Sequence, residues 1–152
     1  MILLNICHIV VLTLSSAGEV ALFNAEQSST YCNSGTCRNA SRAIDGNWGT
    51  YSWTGWASGT HWLQVSMSNI TVYQIVLRAG TRYSEEITVS LYSGETLAGQ
   101  CKSHTGRYST QTLSCDRVTA DRVRLTTTSN SRTMLYVGEI KVTGASINTI
   151  GI

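Results

Sequence analysis

All four tryptophans of the chain, Trp48, Trp53, Trp56 and Trp62, lie in one glycine-studded stretch, residues 40–65. A second run, L-R-A-G-T-R-Y-S-E-E at residues 77–86, sets Arg78, Arg82 and Tyr83 close together. A guanidinium fork donates to two neighbouring hydroxyls at once. An aromatic ring covers an apolar C–H face. A pyranose offers both features, so the two runs together suit a sugar site. Trp53 and Trp56, flanked by Ser, Thr and Gly, read as ligand-facing rings, with Arg78, Arg82 and Tyr83 as donors. Trp62 lies in the strand-like W-L-Q-V and reads as core. Trp48 reads as packed beneath the turn Asp45-Gly46-Asn47. A long aromatic loop costs ordering entropy and solubility, which fits one wall of a binding mouth.

Signatures of catalysis are missing. The chain has no G-x-S-x-G, no H-E-x-x-H and no phosphate-cradling glycine loop. Beyond the leader only His61 and His104 remain. Glu85 and Glu86 are adjacent, and neighbours on a strand face opposite ways, so they cannot act on one bond. The residues point to binding and not to an enzyme.

The elements that must hold such a mouth are short and β-rich. Residues 86–92 alternate, with Ile87, Val89 and Leu91 on one face. Residues 122–126 repeat this with Val123 and Leu125 inward. Leu135, Val137, Ile140 and Val142 supply a closing strand, and residues 19–24, 62–65, 71–78 and 110–115 supply the rest. This half-buried alternation argues antiparallel sheets, and many short strands between turn signals argue a β-sandwich or jelly roll in one domain. Ser41 to Ile44 reads as one helical turn. A chain of 152 residues buries a real core. Its formal charge of +2 is too weak to argue for nucleic acid.

Residues 1–17 read as a secretory leader, apolar from 2 to 14 apart from Asn5, His8 and Thr13, and followed by small residues at Ser15-Ser16-Ala17. Secretion is the resulting expectation. The domain is expected over 18–144, with a loose tail at 145–152. Cys7 leaves with the leader. Cys32, Cys37, Cys101 and Cys115 remain, and an even count in a secreted chain reads as disulfides with three possible pairings. Proximity favours Cys32–Cys37 and Cys101–Cys115. Asn39 and Asn69 head N-glycosylation triplets.

The segments at residues 19–31, 39–47 (N-A-S-R-A-I-D-G-N) and 61–65 (H-W-L-Q-V) resemble the opening half of the discoidin, or coagulation factor 5/8 C-type, domain. Residues 94–101, 111–116, 121–126 and 134–142 (M-L-Y-V-G-E-I-K-V) are similar in order and spacing to its F-type lectin (fucolectin) branch. The resemblance implies an eight-stranded jelly roll, a structural calcium ion and a ligand mouth made by loops. It assigns calcium to the carbonyls of Arg42, Asn47 and Gly138 and the carboxylates of Asp45 and Glu139, an oxygen set of the kind calcium takes. It implies glycans on cell or microbial surfaces as partners, with a role in innate immune recognition. Arg78 matches the first arginine of the fucose motif, while Gly80 stands where that motif has an aspartate and the double cysteine is missing. Weak single sites favour multivalency, hence a homo-oligomer. Two other readings are a phospholipid-membrane module, with Trp53 and Trp56 dipping into the bilayer, and a protein–protein adhesion module.

Overall fold

The computed structural model describes residues 11–14 and 16–150. Most of the expected leader (1–10 and 15) and the last two residues of the expected tail lie outside them. In chain order the strands are β1 (Val11–Leu14), β2 (Gly18–Glu19), β3 (Leu22–Gln27), β4 (Cys32–Asn33) and β5 (Thr36–Cys37). A 3-10 turn, Ala40–Ile44, follows, at the place where one helical turn is expected. Then come β6 (Ser52–Trp53), β7 (Ala57–Thr81), β8 (Thr88–Ser93), β9 (Thr96–Gln100), β10 (Ser109–Ser114), β11 (Thr119–Thr133), β12 (Leu135–Ala145) and β13 (Ile147–Ile150). The protein is an all-β antiparallel jelly-roll sandwich.

β7 organises the molecule. The sequence suggests separate strands at 62–65 and 71–78, but the chain runs as one ladder through both. Its first half pairs with β3 and β11, its second half with β10 and β12. The change of partners falls at Ile70–Val72, just after exposed Ser68 and Asn69, so the glycosylation triplet at Asn69 sits on an exterior corner. β8 extends the first sheet from β11, and β9 follows β8. β6 and β2 extend the second from β12.

The core is a single cluster drawn from both sheets. Leu63, Val65, Ile75, Leu77, Val89, Leu91, Val123, Leu125, Ile140 and Val142 are at most 2% exposed. Ile87 is also fully buried, as its alternation requires. Burying a side chain of this size contributes about 1.5–3 kcal/mol, so the alternating apolar faces account for the sandwich.

Trp62 departs from its expected place. Leu63 and Val65 take the inward phase of β7, so Trp62 and Gln64 face outward, and the Arg124 guanidinium lies 5.0 Å from the Trp62 ring centroid. Two branched aliphatics outcompete one indole for the inner face, and period-2 geometry leaves Trp62 no other choice.

Both favoured disulfides form, Cys32–Cys37 across the β4–β5 hairpin and Cys101–Cys115. Cys101 N–H donates to Val89 O and Cys115 N–H to Tyr73 O, so this bridge staples an edge of one sheet to an edge of the other. The backbone of the tail forms a two-stranded ladder, β13 on β1, with Val11 opposite Ile150.

Candidate functional site

The rim of the second sheet is built by register. Tyr136 in β12 lies opposite Gly80 of β7 on one side and Trp53 of β6 on the other. Tyr108, at the mouth of β10, packs on Tyr136 with ring centroids 5.2 Å apart. Tyr51 stacks on Trp53 at 5.2 Å, and Trp53 meets Tyr136 at 6.2 Å. Tyr51, Trp53, Tyr108 and Tyr136 thus line an aromatic cup of about 200 Å3.

Gly80 is what makes room for it. A Cβ there would come 2.8 Å from both the Tyr108 Cα and the Tyr136 ring. An aspartate at this position, as the fucose-motif resemblance would have it, would collide with the two tyrosines. Gly80→Asp is expected to lower the melting temperature by roughly 3–10 °C, the effect of an overpacked site in a chain of this size. Thermal unfolding followed by circular dichroism checks this, and an unchanged midpoint contradicts it.

Arg78 stands at the edge of the cup. Its Nε donates to the Tyr108 hydroxyl and its Nη1 to the Trp48 carbonyl, both at 3.1 Å. Its aliphatic stem passes within 3.2 Å of where a Gly138 Cβ would lie, so glycine at 138 lets it lie flat. The guanidinium is 5.3 Å from the Tyr108 ring centroid. Arg38, which follows Cys37, covers Tyr51 and Trp53 at 5.1 and 5.9 Å.

Beyond Trp53 lies a second concavity of about 410 Å3, lined by Tyr31, Trp53, Trp56, Arg82 and Met134. Arg82 lies over the Trp56 ring at 5.6 Å, and Trp56 meets Tyr83 at 6.4 Å. The sequence-derived ligand residues are therefore divided: Arg78 borders the first cup, Arg82 and Trp56 the second, and Trp53 lines both. Tyr83 is 62% exposed on the outer side of Trp56. Among the described residues the ion pairs are Arg122–Glu95 and Lys141–Glu19, so Arg38, Arg78 and Arg82 rest on rings and hydrogen bonds instead of carboxylates.

Sequence reasoning missed Tyr108, Tyr136, Arg38 and Tyr31. Tyr51 carried the one available signal, its alternation with Trp53. His61 belongs to the interior, on the face opposite Trp62: it is 3% exposed and its Nε2 lies 3.0 Å from the Ala57 carbonyl.

The turn at Asp45 meets β12 below this rim. Asp45 Oδ1 accepts the Asn47 N–H at 2.8 Å, and the Thr50 hydroxyl donates to Oδ2. Glu139 is 3% exposed, and its Oε2 is buried with no hydrogen-bond partner. Burial pushes the Glu139 carboxyl up to about 7, the Gly46 N–H bond opposes this, and Asp45 adds to it. The carboxylates of Asp45 and Glu139, the latter holding an orphaned buried oxygen, are a donor set suited to a hard cation. Among the described residues no three His, Cys, Asp or Glu side chains cluster. Any ion here must draw further ligands from backbone carbonyls, which calcium accepts and zinc does not.

No family model and no curated protein matches the chain. Solved structures do. Chitosan-binding module 1 of a chitosanase/glucanase from Paenibacillus sp. IK-5 is 23% identical with a TM-score of 0.63, over 78% of this chain and 92% of that one. The CBM32 of AlyQ, in complex with 4,5-unsaturated mannuronic acid, is 18% identical with a TM-score of 0.64, over 82% and 97%. A histidine mutant of the lectin binding domain of Lectinolysin, complexed with Lewis b, is 20% identical with a TM-score of 0.64, over 81% and 92%. At these identities the likeness establishes the fold they share.

Proposed function

We propose that this chain is a non-catalytic glycan-binding module that seats a sugar ring in the cup of Tyr51, Trp53, Tyr108 and Tyr136. The observation that carries this is the cup itself, four rings with the Arg78 and Arg38 guanidinium groups at its margin. The rings cover the apolar face of a pyranose, and the forks donate to its hydroxyls. Structural neighbours that are carbohydrate-binding modules or lectin domains support the reading. The resemblance of its sequence to discoidin/F-type lectin domains supports reading it as a secreted module for cell or microbial surfaces, as in innate immune defence.

Calcium is part of the proposal. Asp45 and Glu139 supply carboxylates, and the carbonyls of Arg42, Asn47 and Gly138 complete the oxygen set. Asp45 and Glu139 would hold the ion, which would neutralise their charges and brace the turn that carries Trp48. Trp48 in turn accepts the Arg78 hydrogen bond, so the brace fixes the guanidinium at the cup.

Tyr108→Ala is expected to weaken glycan binding about tenfold or more, since it removes a ring and the partner of Arg78 Nε. Tyr92→Ala, which touches Arg124 on the outer face, serves as the control. A glycan array followed by calorimetry on the best hit reads both. Equal affinity in the two variants overturns the site. Binding to anionic vesicles that sugars do not inhibit favours the membrane reading instead.

A further inference from the structure

The cup and the second concavity share one wall, Trp53, and neither is closed at that wall by a carboxylate. Each has its own cation: Arg78 beside the first, Arg82 within the second, and Arg38 over the Tyr51–Trp53 pair between the Cys37 hairpin and the rim. Arg38 and Arg82 rest on ring faces, which leaves a guanidinium edge open for a ligand where an ion pair would occupy it, and Arg78, whose Nε and Nη1 donate to Tyr108 and Trp48, keeps its Nη2. The neighbouring carboxylate, Glu85, is engaged elsewhere, since its Oε2 accepts the Tyr83 N–H and the Thr133 hydroxyl, both at 3.1 Å.

We infer that the site takes an acidic oligosaccharide, with consecutive sugar units in the two concavities and at least one uronate carboxylate on the Arg78–Arg82 side. This rests on the glycan-binding reading and narrows it to a ligand class. A neutral sugar would leave the Arg78 and Arg82 charges unused, and a monosaccharide would leave one concavity empty. The aromatic surface on both sides of Trp53 gives two stacking platforms, and an Arg–carboxylate pair is the bidentate match for the planar forks.

The test is calorimetry at low salt with three pairs of probes, each uronic acid beside its neutral hexose: galacturonate and galactose, glucuronate and glucose, mannuronate and mannose. The corresponding uronate disaccharides complete the panel. At least one uronate is expected to bind about tenfold tighter than its neutral partner, the fold-change of one charge-assisted contact. Its disaccharide is expected to bind about tenfold tighter again, and salt is expected to erode the first gain. Arg82→Gln is expected to weaken the disaccharide at least about fivefold more than the monosaccharide, while Arg117→Gln, stacked on Tyr73 elsewhere, changes neither. If every hexose binds as tightly as its uronate, or Arg82→Gln weakens both lengths alike, the inference fails and the glycan-binding reading stands. If no probe and no array glycan binds, both fail.

Discussion

Gly106→Ala is expected to lower the melting temperature by roughly 10 °C or more, or to prevent recovery of folded protein, a loss of about 4 kcal/mol. Gly106 has φ +80°, a conformation in which side chains are strained, and an added Cβ would land on the Glu85 carbonyl oxygen. Its backbone is also committed on both sides: its carbonyl accepts the Thr81 N–H at 2.9 Å, and its N–H donates to Nδ1 of His104 at 3.0 Å. His104 is fully buried, with Nε2 paired to the Ser109 carbonyl, and burial holds its pKa below the usual value. The two loops that Gly106 locks together carry Arg82 and Tyr83 on one side and Tyr108 on the other. Binding should therefore be lost with stability. Calorimetric unfolding decides it: a midpoint within about 3 °C of the parent shows the close approach to be relieved at little cost.

The second large effect concerns Glu139. Its carboxyl titrates near 4.5 when unfolded and about 7 when folded. A raised pKa means stability that is complete below about 4.5 and lost as pH rises through about 7. Without metal, burying the charged form costs at most about 3 kcal/mol above that window. Glu139→Gln is expected to recover most of this, raising the metal-free midpoint at pH 8 by several degrees. His104 works in the opposite sense, since its lowered pKa removes stability on acidification, so the informative quantity is the difference between parent and variant at each pH. Calcium should invert the outcome. It stabilises the ionised pair, so the parent gains stability with added calcium and loses it to chelator, while Glu139→Gln responds far less. A parent protein indifferent to calcium, with Glu139→Gln no more stable at pH 8, sinks both the buried charge and the metal.

How much of this is legible in the sequence depends on distance along the chain. The inward sets Ile87–Val89–Leu91 and Val123–Leu125 are local patterns, so period 2 reveals them. The two disulfides join near neighbours in sequence, and proximity suffices. The aromatic cup is different. Tyr51, Tyr108 and Tyr136 are isolated residues on separate segments, and only the order of β6, β12, β7 and β10 gathers them. No window of sequence contains that order. Trp62 escapes for a related reason: W-L-Q-V fits either phase, and the packing of Leu63 and Val65 chooses. Gly80 reads as a lost motif residue, yet the crowding that requires glycine comes from Tyr108 and Tyr136, distant in sequence.

β7 gives each sheet an interior strand from one continuous run of 25 residues. Neither sheet can come apart while the other survives, because each takes a strand paired on both edges from the same stretch. A half-folded form that keeps a working cup has nothing to stand on. The domain must therefore lose its ligand and its core in the same all-or-none event.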